Sequence, residues 1–257
     1  HSSAVIISAA ALAKFGSKGI GQNPVGTAPF TFVEWKSTDY LKVAKFDGYW
    51  RKGYPKVDTI TWRPVVDNNT RAAMMQTNEA HFAFPMPPEA AQNLQGKPSL
   101  EVTAAPSIIQ RYISFNTQQK PFDNPMVRKA LNMAVNKQAI IDAVFQGTGK
   151  AAINPIPPTM WSYNSTIKDD PYDPDGSKKM LADAGVTGLK MKIWAMPVSR
   201  PYNPNGRRIA ELIQADLAKV GVTAEIYTVE WAEYVKTSAD KNRDGALEFG
   251  WTGDNGD

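Results

Sequence analysis

Cysteine is absent from the 257 residues of this chain, and histidine occurs only as His1 and His81. Without cysteine the protein can have no disulfide, no thiol nucleophile, no zinc finger and no iron–sulfur cluster. Two imidazoles cannot build a His-rich metal site, and a Ser-His-Asp triad would depend on His81 alone. His81 stands between Ala80 and Phe82 on a predicted strand, which favours a structural role. We therefore expect no catalytic residue, no metal site and no cofactor.

Long apolar runs and dense clusters of positive charge are also missing. The longest uncharged stretches, 19–33 and 151–167, both contain proline, so no membrane-spanning helix is predicted. Lysine and arginine number 29 against 25 acidic residues, which gives a net charge of +4. The densest basic spots are no more than adjacent pairs, such as Lys178–Lys179 and Arg207–Arg208. A nucleic-acid-binding protein would group such residues on one face, so we expect no nucleic-acid partner.

The composition that remains is typical of a globular protein, with 42% hydrophobic and 21% charged residues. At roughly 150 residues per domain, the length allows one or two domains. The final residues, 250–257, follow a strand-like stretch, and nothing after them closes the fold. We expect the chain to be an internal part of a longer precursor whose export signal lies outside it.

The first half of the chain predicts a small sheet. Apolar and polar residues alternate over 30–35 and 40–46, and the Ser-Thr-Asp sequence at 37–39 predicts the turn of a hairpin. A further strand is predicted over 57–65, and Asp67 is placed to cap the helix that follows. The middle of the chain predicts a strand at 111–116, helices at 126–134 and 138–145, and an irregular loop at 151–174.

The last third predicts an α/β fold. Strands are expected at 189–194, 222–229 and 246–251, and helices at 207–220 and 231–239. Strand–helix–strand units with short links favour a parallel sheet with right-handed crossovers.

The carboxyl ends of these strands form the candidate site, because open parallel sheets bind ligands there. The segments beyond the strand ends contain Arg200, Trp231, Trp251 and Asp254. An arginine fork matches a carboxylate, and an aspartate accepts an ammonium, so the set suits a zwitterion of fixed length. The alternative is that Arg200 is a surface residue, Asp254 a helix cap and Trp231 part of the core.

Several motifs resemble the peptide/nickel family of solute-binding proteins that serve ATP-driven importers. The segments that carry this resemblance are 25–35, 46–50 and 115–131. Three others are similar to the periplasmic members that bind dipeptides: 156–161, 194–205 and 250–257. The last two are long and specific, and the resemblance covers nearly the whole chain.

The resemblance implies a bilobed α/β fold of the type II periplasmic-binding-protein class, incomplete in this chain. It assigns 1–28 to a remnant of a smaller extra domain, 29–108 to lobe I and 109–257 to lobe II. It also implies that Arg200 binds the carboxylate of a peptide and Asp254 its amine. The implied pocket walls are Tyr202, Trp231 and Trp251.

The resulting hypothesis is a monomeric periplasmic protein, not an enzyme, that captures dipeptides and delivers them to an inner-membrane ABC permease. The rival interpretation is a carbohydrate-active hydrolase with an aromatic-lined cleft. Within the binding class, the alternatives are an oligopeptide, haem or metal-chelate ligand. If both peptide termini are anchored, a dipeptide should bind more tightly than a tripeptide or an amino acid.

Overall fold

The structure, a computed structural model, describes residues 6–252. The chain divides into two compact units, which meet in sequence between Arg71 and Ala72. Each unit has its own sheet. The three-part division predicted from the resemblance stays a prediction.

Unit 1 begins with helix α1 (Ala9–Gly19), followed by a single 3-10 turn at Ile20–Gln22. Ser8 caps α1, since its Oγ accepts a hydrogen bond from the amide of Ala11 at 3.3 Å. At Gly16 the backbone departs from helical geometry with a φ of 68°. Glycine adopts that conformation without the steric penalty that a side chain would bring.

An antiparallel sheet forms the rest of unit 1, in the order β1 (Phe30–Lys36), β2 (Tyr40–Lys45) and β3 (Thr59–Trp62). The predicted hairpin and its turn are confirmed, and the third strand is shorter than predicted. The register pairs Val43 with Phe32 and Ile60, so one face of the sheet is apolar.

Helix α2 (Asn68–Gln76) spans the boundary between the units. The predicted cap is confirmed, because Asp67 Oδ1 accepts hydrogen bonds at 2.7 Å from both the amide and the hydroxyl of Thr70. The predicted strand around His81 is wrong: His81 lies exposed in a bend. Three prolines, Pro85, Pro87 and Pro88, follow closely and lack the N–H that a strand needs.

Unit 2 contains a mixed sheet in the order β4-β7-β5-β6. The strands are β4 (Ile109–Phe115), β5 (Lys190–Trp194), β6 (Thr223–Tyr227) and β7 (Ala246–Thr252). β5 runs parallel to both β6 and β7, which confirms the predicted parallel sheet, and β4 adds an antiparallel edge.

Six helices of unit 2 lie before and between these strands. They are α3 (Pro88–Leu94), α4 (Pro125–Ala134), α5 (Lys137–Ile140) with a π-helical turn at Ile141–Phe145, α6 (Pro174–Asp183), α7 (Gly206–Lys219) and α8 (Trp231–Ser238). The helices α4, α5, α7 and α8 confirm the predictions, whereas α3 and α6 were not predicted.

The main core of unit 2 packs α4, α6 and α7 on the sheet. Ile209, Ile213 and Leu217 of α7 recur at helical spacing and are all buried in it. The helix begins at an Asn205 cap, whose Oδ1 accepts from the amide of Arg208 at 3.0 Å. Among residues 6–252, no helix is long and apolar enough to cross a membrane.

Candidate functional site

The loop between β5 and α7, residues 195–205, follows the carboxyl end of a central strand and carries Arg200 and Tyr202. Two backbone hydrogen bonds close a tight turn in it: Arg200 N–H donates to Asn203 O at 3.0 Å, and Asn203 N–H donates to Arg200 O at 2.9 Å. This turn fixes the backbone at Arg200. We refer to residues 195–205 as the ligand loop.

Three near-parallel aromatic rings form a stack beside this loop. Trp231 lies 5.9 Å from Tyr234 and 6.3 Å from Phe249, with interplanar angles of 16° and 15°. The Arg200 guanidinium lies 4.9 Å from the centre of the Trp231 ring. Such a cation–π contact orients a planar guanidinium while leaving its N–H groups able to donate.

Tyr202 packs on the backbone of β7. A Cβ added to Gly250 would overlap the Tyr202 ring, so only glycine allows this approach. Burial raises the pKa of Tyr202, and the nearby positive charge of Arg200 opposes that rise. The ring is therefore a neutral, partly buried surface next to the arginine.

Tyr234 holds the aromatic stack to the sheet. The residue is fully buried, and its hydroxyl oxygen lies 2.6 Å from Glu248 O and 2.8 Å from Trp194 O. These carbonyls belong to β7 and β5, so the phenol joins the last residue of β5 to the third residue of the parallel strand β7. Desolvation by burial raises the pKa of Tyr234 well above the usual range of a phenol.

A buried carboxylate, Glu248, lies under the ligand loop and was missed by the sequence analysis. Its Oε1 accepts from Arg111 Nη2 at 2.9 Å, and its Oε2 accepts from Asn203 Nδ2 at 3.0 Å and from Met196 N–H at 3.3 Å. Burial raises the pKa of Glu248, and the Arg111 charge opposes that rise. A glutamate inside the apolar run Ala-Leu-Glu-Phe-Gly-Trp was the signal that could have revealed it.

The structure thus brings together three of the five predicted site residues: Arg200, Tyr202 and Trp231. Trp251 lies on β7 and is 58% exposed. Strand alternation puts it on the same face as Phe249 of the aromatic stack. Asp254 lies outside the described residues. Within 6–252, no group of three or more acidic or histidine side chains could hold a metal ion.

A family model described as "Bacterial extracellular solute-binding proteins, family 5 Middle" matches residues 1–257. The chain belongs to this family. It is 46% identical over 237 residues to the dipeptide-binding protein of Escherichia coli strain K12, which covers 91% of this chain and 44% of that protein. It is also 46% identical over 231 residues to the glutathione-binding protein of Pectobacterium atrosepticum, which covers 90% of this chain and 44% of that protein.

A solved family member has the same fold. The dipeptide-binding protein from Pseudoalteromonas sp. SM9913 in complex with Met-Leu superposes with a TM-score of 0.82 at 33% identity, covering 99% of this chain and 51% of that one. These matches confirm the resemblance and the type II periplasmic-binding-protein fold, over the part that the chain spans. The chain spans about half the length of the relatives it matches.

Proposed function

We propose that this chain forms part of a solute-binding protein that captures short peptides by their charged termini for an ABC importer. The observation that carries the proposal is the Arg200 guanidinium, held over Trp231 at 4.9 Å at the carboxyl end of the sheet. Among residues 6–252 this guanidinium forms no ion pair with a carboxylate. It is therefore suited to receive the carboxylate of a ligand.

Dipeptides are the ligand class that we favour. Arg200 takes the peptide carboxylate, Asp254 takes the amine, and the amide faces of the ligand pack on Tyr202, Trp231 and Trp251. Each charge-assisted hydrogen bond contributes ~1.5–3 kcal/mol. A complete site of this kind reaches about −8 kcal/mol, which corresponds to micromolar affinity. The match to proteins named for dipeptide binding supports this assignment.

Glutathione is the second candidate ligand, because one relative of equal identity is named a glutathione-binding protein. Glutathione is a tripeptide with a free amine and two carboxylates, so the same arginine could bind one of its carboxylates. The two ligands differ in the distance between their charged ends, and a site with two fixed anchors should favour one of them.

Calorimetric titration of the complete protein tests the proposal. We expect Met-Leu to bind with micromolar affinity, tripeptides to bind more weakly, and leucine, N-acetyl-Met-Leu and Met-Leu amide to bind very weakly. If glutathione binds more tightly than Met-Leu, glutathione becomes the favoured ligand. Equal affinity for Met-Leu and its N-acetyl form would remove Asp254 from its role, and the fixed-length argument with it.

Transport without catalysis is the other half of the proposal. The protein is proposed to work as a monomer outside the cytoplasm, in the periplasm, and to pass its ligand to an inner-membrane permease. Mass spectrometry of Met-Leu after incubation with the protein separates this proposal from the hydrolase alternative. Recovery of intact Met-Leu is expected, and recovery of free methionine and leucine would reverse the choice.

A further inference from the structure

We propose that Glu248, paired with Arg111, is a positioning residue that sets the ligand loop in place for ligand binding. The inference rests on the proposed function, because it concerns how Arg200 is presented to a peptide carboxylate. Glu248 itself is fully buried and reaches the ligand only through other residues.

The first observation is that one carboxylate bonds to the beginning and the turn of the ligand loop and lies beside Gly206, the residue that follows its end. Glu248 accepts from the amide of Met196 and from the side chain of Asn203. At Gly206, where α7 begins, an added Cβ would lie 2.9 Å from Glu248 Oε2 and 2.5 Å from Met196 O. The two ends of the loop therefore converge on the same carboxylate, with no room there for a side chain.

The second observation is the short connection from this carboxylate to the ligand-binding arginine. Asn203 donates to Glu248 with its side chain, and its backbone forms both hydrogen bonds of the turn with Arg200. Arg200 then lies over Trp231. A displacement of Asn203 would thus displace Arg200 relative to the aromatic stack.

The third observation is that Arg111 comes from the antiparallel edge strand, 137 residues away in sequence from Glu248. The ion pair joins β4 and β7 across their common face, and both partners are buried or nearly so. A buried ion pair is in general weak support for stability, because well-packed apolar residues often replace it without loss. Its hydrogen bonds to the ligand loop point instead to fixing the geometry of the site.

The test uses the near-isosteric variant Glu248→Gln in the complete protein, with Met-Leu and Met-Leu amide as probes. We expect the Kd for Met-Leu to rise about tenfold, which corresponds to ~1.4 kcal/mol, because Arg200 is no longer held in place. The Kd for the amide, which offers Arg200 no carboxylate, should change by no more than about twofold. The affinity for Met-Leu relative to that for Met-Leu amide therefore falls. A purely structural role of Glu248 would weaken the binding of both probes alike.

A double-mutant cycle gives the second readout. In an Arg200→Ala background, Glu248→Gln should alter the Kd for Met-Leu by no more than about twofold, because residues that act through one another are not additive. Asp216→Asn is the matched control, since Asp216 is also a buried carboxylate of unit 2 and accepts from the amide of Asn136 at 2.8 Å. This control should leave the affinity ratio unchanged.

Each outcome separates the inference from the proposed function. If the wild type binds Met-Leu and Glu248→Gln binds it with the same Kd, the inference alone is overturned. The same holds if Glu248→Gln changes the Kd equally in the presence of Arg200 and in the Arg200→Ala background. Failure of the wild type to bind any peptide overturns both. If Glu248→Gln does not fold, Asn203→Ala keeps the ion pair and the Met196 hydrogen bond, and removes only the side-chain link from Glu248 to the turn of the loop. Unchanged peptide affinity in Asn203→Ala would then overturn the inference.

Discussion

Arg200 is the residue through which the sequence and the geometry both point to a carboxylate ligand. Its planar guanidinium can stack on Trp231 and present a fork of N–H donors at the same time. A lysine keeps the charge but has neither the fork nor the planar stacking surface. The identity of the side chain should therefore matter as much as its charge.

We expect Arg200→Ala to raise the Kd for Met-Leu tenfold or more, since ~1.4 kcal/mol of lost binding energy is a factor of ten. Arg200→Lys should recover only part of this loss. Calorimetry on the complete protein measures both effects. Arg207→Ala is the control, because Arg207 is an exposed arginine of the next helix that pairs with Glu211. Wild-type affinity in Arg200→Ala would contradict the proposed role.

Tyr234 gives a prediction of pH dependence. Its pKa in the folded state is raised by burial above the ordinary value of 10.0. As the pH rises past that value, the phenol ionises in the unfolded chain first, while the folded state keeps its proton. The free energy of unfolding therefore falls above about pH 10 with a slope of up to ~1.4 kcal/mol per pH unit from this group. Below about pH 10 the phenol contributes no pH dependence to the free energy of unfolding.

Tyr234→Phe should remove this part of the slope. Burial also raises the pKa of Tyr112 and Tyr202, so a weaker dependence of the same sign remains. At neutral pH the variant should be destabilised by about 1–3 kcal/mol, because two buried carbonyls lose their common donor. Urea unfolding at several pH values measures both effects. Equal slopes in wild type and variant would show that the phenol does not titrate as argued.

The elements of unit 2 show which features a sequence reveals. Helix α7 was predicted at 207–220 and lies at Gly206–Lys219, because its apolar period and its Gly221 stop are local signals. Strands β5, β6 and β7 were likewise predicted to within two residues at each end. The pairing of β4 with β7 could not be predicted, since nothing local marks contacts between residues more than 100 positions apart.

The residues of the candidate site follow the same rule: those marked by local signals could be predicted, and those that depend on long-range contacts could not. Arg200 and Trp231 could be predicted because strand ends are visible in the sequence and ligands bind there. The Arg111–Glu248 pair could not, because its partners are 137 residues apart: the apolar run around Glu248 can indicate a buried carboxylate, but nothing local identifies Arg111 as its partner. Helix α6 was missed for a different reason: its Asp-Pro-Asp-Gly start is equally typical of a turn.

Helix α6 nonetheless begins at a well-formed cap, which gives a prediction at this scale. Asp173 Oδ1 accepts from the amide of Gly176 at 2.9 Å, and Ser177 Oγ donates to Ala130 O at 2.7 Å, which joins α6 to α4. Asp173→Ala should lower the free energy of unfolding by about 0.5–2 kcal/mol. Asp175→Ala, an exposed change in the same turn, is the control in urea unfolding. Equal stability of the two variants would contradict the assigned cap.

At the scale of the whole molecule, the two units differ sharply in how many of their apolar residues are buried. In unit 2, three helices and a four-stranded sheet enclose a continuous apolar core. In unit 1, Ala11 and Pro55 are the only buried residues among 6–71. On the apolar face of its sheet, Trp35 is 45% exposed and Trp62 is 50% exposed. Since burial of apolar surface is the main favourable term in folding, the units should differ in local stability.

Native-state hydrogen exchange of this 257-residue chain measures that difference. Amides of the β1–β3 sheet should exchange at lower denaturant concentration than those of β5 and β7, because local opening follows the number of buried apolar contacts. The amide of Ile193 lies in the core of unit 2 and should be among the slowest. The amide of Val43 pairs within a sheet that has little apolar cover, and should exchange through local opening of unit 1. Equal protection of the two amides at every denaturant concentration would mean that the chain opens as one cooperative body, and that burial within each unit does not set its stability.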